Sequence, residues 1–237
     1  MKVLVIPDIH LKPRLFDYAE KIMNDCKADI TVCLMDIADD WNKEYQVQCY
    51  RETYDRAIKY AKSFSNTLWC YGNHDISYIW GKLESGYSPY AENTVISKIE
   101  ELKKSLTNEN QLKFIHRIDN VLFSHGGLSK EYVDRFYYYL REDDIDSIIS
   151  AINNACDDYL WNNESPLWLR PQYEERTAFR KEKYTQVVGH TPVDKISEKD
   201  GFISTDVFSI YRDGTQIGEN SMLIIDSISG RYEAVDV

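Results

Sequence analysis

"ITVCLMDIADD", Ile30–Asp40, is the stretch on which the reading of the fold turns. Its first six residues, Ile30–Met35, have the length and β-branched content of a buried strand. Three carboxylates, Asp36, Asp39 and Asp40, then follow within five residues. In an open α/β sheet ligands collect beyond the carboxyl ends of the strands, so acids placed there point to a binding rim rather than a surface turn.

Four further runs end in the same way. Val3–Ile6 leads to Asp8-Ile9-His10, and Thr67–Tyr71 to Gly72-Asn73-His74-Asp75. Val121–Ser124 is followed by His125-Gly126-Gly127, and Gln186–Gly189 by His190. Of the five histidines, four stand at these run ends. The fifth, His116, has no such context and reads as an ordinary polar residue.

Helical patterns separate the runs. Leu15, Ala19, Ile22, Met23 and Cys26 share one amphipathic face. Val95, Ile96, Ile99, Leu102 and Leu106 form a second, with Asn93 or Thr94 placed to cap, and Ile145, Ile148, Ile149, Ile152 and Tyr159 a third. Strands alternating with helices predict an α/β fold with a mostly parallel sheet. Towards the C-terminus, Phe202–Ile210, Ser221–Ile225 and Arg231–Val237 are strand-like, with turn signals at Asp213-Gly214 and Ser229-Gly230. They suggest antiparallel strands in a second sheet packed against the first. Gly81–Pro89 reads as a loop, and Ser129–Arg180 as an inserted helical segment. The expectation is one domain over 1–237, with a helical insert at about 129–180.

A chain of 237 residues can bury a substantial core. A net charge of −11 without a long basic cluster disfavours duplex nucleic acid. An anionic substrate stays open, because bound cations invert the field of an acidic site. The 18 tyrosines read as half-buried filler before they read as a stacking surface. Five cysteines without a C-x-x-C pair read as reduced thiols of a cytoplasmic protein. The four apolar residues before Pro7 are too few for a signal peptide, and no run reaches the roughly 18 needed to span a membrane.

The donor set narrows the chemistry. Carboxylate, imidazole and amide oxygen without thiolate suit Mn, Fe or Zn at a catalytic centre. Asp8 and His10, at i and i+2 on an extended segment, point the same way and can bind one ion. Asn73, His125 and His190 can bind a second, and Asp36 is the remaining acid able to bridge them.

"DIH", "MDIADD", "GNHD", "SHGGL" and "VVGHTP" together resemble the five signature blocks of the calcineurin-like metallophosphoesterase superfamily. Their order and spacing agree with it over nearly the whole chain. "SHGGL", "GHTP" and Ser165–Pro171 (SPLWLRP) are most similar to the bacterial and phage serine/threonine phosphoprotein phosphatases. The resemblance implies an αββα sandwich of two mixed sheets and a phosphoesterase using two divalent or trivalent ions. Asp8, His10 and Asp36 would hold one, and Asp36, Asn73, His125 and His190 the other. Two cations about 3.5–4 Å apart clamp a phosphate and generate hydroxide from bridging water. His74 matches the general acid, and Asp39 the aspartate that orients it. Asn73 and Arg170 are read as substrate contacts, Arg170 replacing an arginine that the second block lacks. That block also departs from the phosphoprotein phosphatases at Met35 and Trp41, which stand for glycines, and at Asp40, which stands for the arginine. Leu11 likewise replaces a glycine. The substrate expected is a phosphorylated small molecule or phosphoprotein monoester. The alternatives are phosphodiesterase or dinucleoside polyphosphate hydrolase action on the same site, or a non-catalytic scaffold.

Overall fold

The five predicted runs all form strands, and they divide between two sheets. The computed structural model describes residues 1–25, 27–173 and 175–237. β1 (Lys2–Ile6), β2 (Ile30–Cys33), β3 (Thr67–Cys70) and β4 (Leu112–Lys113) pair parallel in succession. β5 (Ile115–Ile118), β6 (Val121–Ser124), β7 (Thr185–Val188), β8 (Ser197–Lys199) and β9 (Phe202–Ser204) make the second sheet, in the order β5-β6-β7-β9-β8. Both sheets are mixed.

The C-terminal strands correct the expectation. β10 (Ser221–Asp226) and β11 (Tyr232–Asp236) are antiparallel but extend the first sheet, which runs β11-β10-β1-β2-β3-β4. Pairing of Val3 with Ile225 and Val5 with Leu223 satisfies the open edge of β1. The run Phe202–Ile210 is a strand only to Ser204. Beyond it the Asp206 carboxylate accepts hydrogen bonds from Ser209 N (3.2 Å) and Ser209 Oγ (2.9 Å), a local closure that competes with strand pairing.

Helices cover both outer faces. α1 (Arg14–Asn24), α2 (Val47–Ser63) and α4 (Glu92–Ser105) share one core with the first sheet, through residues such as Phe16, Tyr54 and Val95. α5 (Lys130–Phe136) and α6 (Ile145–Asn153) pack through Tyr132 and Ile148 into a core with Ile115 and Leu122 of the second sheet. Helix, sheet, sheet and helix make the four layers expected.

The short α3 (Asn73–Trp80) and α7 (Asp157–Leu160) complete the set. α2 escaped the sequence reading because its buried face is built mainly of Tyr50, Tyr54, Tyr60 and small residues, with Ile58 its one large aliphatic side chain. Two details differ from expectation. Asn93 and Thr94 lie inside α4, which begins without a side-chain cap, and Tyr159 belongs to α7, where it is exposed. Cys26, expected to end the face of α1, lies outside the described residues. Among the described cysteines Cys33 and Cys70 are buried, and none is paired. Among the described residues no helix is long and apolar enough to cross a membrane.

His116 joins the sheets, its ring Nε2–H donating to Trp69 O at 3.0 Å. Burial lowers its pKa from 6.5 to about 4. Between those values the unfolded chain binds a proton that the folded chain refuses. Stability is therefore intact above pH 6.5 and falls as pH drops towards 4, by at most about 3 kcal/mol. Denaturant midpoints of wild type and His116→Gln should converge as pH falls from 7 to 4.5. Parallel pH profiles would show that His116 does not titrate in this way.

Candidate metal centre

The loops that follow β1 and β2 are locked together before any side chain is considered. His10 N donates to Asp36 O (2.7 Å), Leu11 N to Ile37 O (3.1 Å) and Ile9 N to Met35 O (3.0 Å). His10, Leu11, Met35, Asp36, Asp39 and His190 all have left-handed backbone, with φ between 41° and 63°. The conformation costs a non-glycine residue roughly 1–2 kcal/mol, and it persists where the surroundings over-determine it. Leu11 and Met35, the positions read as replaced glycines, keep the conformation that favours glycine. The Asp8–His10 segment, expected to be extended, therefore turns at His10.

That turn and its counterparts bring Asp8, His10, Asp36, Asn73, His125 and His190 together. His125 Nε2 lies 3.1 Å from Asp36 Oδ2 and 2.9 Å from Asn73 Oδ1. His10 Nε2 is 3.9 Å from Asp36 Oδ2. Ligand atoms of Asp36, His125 and His190 form one group within 4.8 Å, and Asp36 shares another with His10 and His74. The Nδ1–H of His10 donates to Asp39 O, and that of His125 to Leu34 O, each at 3.0 Å. These bonds turn Nε2 of both rings inward, the usual way of orienting a ligand histidine.

Two observations test whether a metal fits. Asp8 Oδ1 and His190 Nε2 are buried without a hydrogen-bond partner, which is costly unless something else satisfies them. Two glycines also keep the space clear. A Cβ on Gly72 would stand 1.9 Å from Asp36 Oδ1, and one on Gly189 1.9 Å from Asp8 Oδ1. The residues fit.

The His74–Asp39 pair is equally well built. His74 Nδ1–H donates to Asp39 Oδ2 at 2.9 Å. Asp39 Oδ1 accepts from Tyr50 Oη (3.0 Å) and Tyr78 Oη (2.6 Å), so both tyrosines are occupied inside the fold. Burial opposes a charge on His74, but Asp36, Asp39 and Glu84 outweigh it and raise its pKa to about 10. His125 rises to about 9 against the same burial, through Asp36 and Asp8. Burial pushes the Asp8 carboxyl up and both His10, to about 4, and His190 down.

Arg170 donates from Nη1 to His190 O at 2.8 Å and lines the central cavity of about 180 Å³ beside His10, His74 and Asp36. Asp40 is not the free negative charge it seemed in the sequence. Lys12 Nζ lies 3.0 Å from its Oδ2, the lysine buried and the aspartate partly so. Three residues near the site were missed. Glu84 Oε2 accepts from Asn73 Nδ2 at 2.7 Å, and no motif marks its loop. Lys12 lies just past "DIH", with nothing in its neighbours to suggest burial. Asp206 follows β9 by two residues, and the strand-end rule would have found it had the run been cut at Ser204.

The sequence model for the calcineurin-like phosphoesterases matches residues 1–217. The chain belongs to that family. This calcineurin-like phosphoesterase is thus a hydrolase of phosphoric esters, in a family that typically binds divalent metals. No curated protein matches it in sequence. Its fold is similar to the crystal structure of a cold-active protein-tyrosine phosphatase from a psychrophilic Shewanella species, at 19% identity and a TM-score of 0.59. That match covers 99% of this chain and 80% of the other. A second structure, of a cold-active protein tyrosine phosphatase, aligns at 19% identity and a TM-score of 0.56, covering 98% of this chain and 78% of the other.

Two measurements follow for the phosphoesterase. Gly189→Ala should displace the Asp8 carboxylate and weaken Mn²⁺ binding at least tenfold by calorimetry, with circular dichroism unchanged. Unaltered affinity would mean that Asp8 is no ligand. Because His125, raised to about 9, is charged in the metal-free chain, loading at pH 7 should release roughly one proton. Affinity should then rise about tenfold per pH unit for each proton released, read from the buffer dependence of the binding heat.

Proposed function

We propose that the chain hydrolyses phosphate monoesters at a dinuclear centre, with Asp8, His10 and Asp36 holding one ion. Asp36, Asn73, His125 and His190 hold the other. The observation that carries this reading is the pair of buried, unpartnered ligand atoms, Asp8 Oδ1 and His190 Nε2, in a cluster that meets at Asp36. Ions bound there supply Lewis acidity and a nucleophilic water near neutral pH. Mn, Fe and Zn all suit the donor set.

The chain's own part is to hold the phosphoryl group and to move one proton. Arg170, fixed by His190 O, offers its remaining N–H groups to phosphate oxygens. Asn73 spends one amide hydrogen on Glu84 and has a second for substrate. His74, its Nδ1–H held by Asp39, presents Nε2–H to the leaving oxygen as general acid. A cavity of about 180 Å³ is smaller than pockets that enclose a drug-sized ligand, so it suits a phosphoryl group whose ester substituent reaches outward. Such a substituent belongs to a phosphorylated metabolite or a phosphoprotein side chain.

One observation favours a second reading. The Asp40–Lys12 pair is neutral where relatives place a phosphate-gripping arginine. A diester carries one charge fewer than a monoester and needs that arginine less. On either reading residues 1–237 act as a single catalytic domain, with α5–α7 as its helical insert, in the reducing cytoplasm.

Turnover of p-nitrophenyl phosphate and bis-p-nitrophenyl phosphate, with Mn²⁺ or with EDTA, tests the proposal. Mn²⁺-dependent activity with higher kcat/KM on the monoester is expected. No hydrolysis of either compound would overturn it. Asp36→Asn should lose metal and activity together. His74→Asn should keep both ions yet lose roughly 10²–10⁴ in rate on poor leaving groups.

A further inference from the structure

The loop after β9 adds an acid to the centre that no sequence block supplies. Asp206 is 1% exposed and borders the same cavity as His10 and Asp36. A carboxylate oxygen of Asp206, a ring nitrogen of His10 and a carboxylate oxygen of Asp8 lie within 4.8 Å of one another. No hydrogen bond joins the two acids, and Asp8 Oδ1 is buried without a partner. Buried carboxylates this close repel unless a cation or a proton lies between them. The neighbouring Lys12 does not serve, because its ammonium is committed to Asp40 Oδ2 and His10 O, each at 3.0 Å.

Asp206 is also held as a ligand would be. Ser209 N and Ser209 Oγ each donate to one of its oxygens, fixing the carboxylate plane and leaving each oxygen a further lone pair. We propose that Asp206 is a fourth protein ligand of the ion held by Asp8, His10 and Asp36. The two ions then differ in kind. Three carboxylates and one imidazole make the first position a harder site than that of Asp36, Asn73, His125 and His190, and suit it to Mn²⁺.

The assignment rests on the two-ion reading above, and one experiment separates their failures. Wild type is titrated calorimetrically with Mn²⁺, and the absorption of the Co²⁺-loaded protein is recorded. Two equivalents are expected, and fewer would overturn the two-ion reading itself. Asp206→Asn should keep one equivalent at its wild-type affinity and weaken the other at least about a hundredfold, with a changed Co²⁺ spectrum. Ser209→Ala keeps the carboxylate but frees it, and should weaken the same equivalent about tenfold. It carries the test if Asp206→Asn does not fold. Two equivalents at wild-type affinity in the folded variants, even with a lower melting temperature, would overturn the assignment of Asp206.

Discussion

A buried carboxylate at the meeting of two sheets sets the terms for the rest of this molecule. Asp36 is 1% exposed and stands at the end of β2. It accepts from His74 N at 2.9 Å and lies within 4 Å of the His125 and His10 rings. A charge this deep costs several kcal/mol unless partners compensate it. Burial alone would raise its pKa, and the charges of His125 and His74 reverse the shift. These partners come from strand ends in both sheets, so the layers must register at this point. Gly72 and the left-handed backbone of Met35 and Asp36 are local consequences of that demand.

A second network ties the helices to the site. Asp39 gathers Tyr50 from α2 and Tyr78 and His74 from α3. Three donors fix one carboxylate, and the carboxylate fixes one ring. The loop between α3 and α4 closes over this pair, with Gly86 close enough that a Cβ would touch both Asp39 and His74 at about 3.5 Å. The tyrosines that raised the aromatic content are in good part this scaffold.

The departures from the related phosphatases acquire physical meaning in the same place. Exchange of arginine for Asp40 does not leave an acidic wall, because Lys12 neutralises it. An exposed pair would be screened by water, whereas this largely buried one offsets the Asp40 charge at the cavity wall. Arg170 is brought to the wall from a different segment, the loop between α7 and β7. On the proposed function, the phosphate-facing charge of the site is thus rearranged along the chain.

By itself the sequence determined most of the elements and the types of the candidate ligands. Strand periodicity, strand-end acids and histidines, and five ordered blocks are local features, and local features survive in one dimension. Tertiary structure decided the rest. It sent β10 and β11 to the first sheet, because the open edge of β1 needed a partner. It paired Lys12 with Asp40 and placed Glu84 against Asn73, contacts between residues far apart in sequence that no spacing encodes. It also put Asp206 beside Asp8, across 198 positions of chain. Burial, and the charges that burial forces together, exist only once the layers have closed.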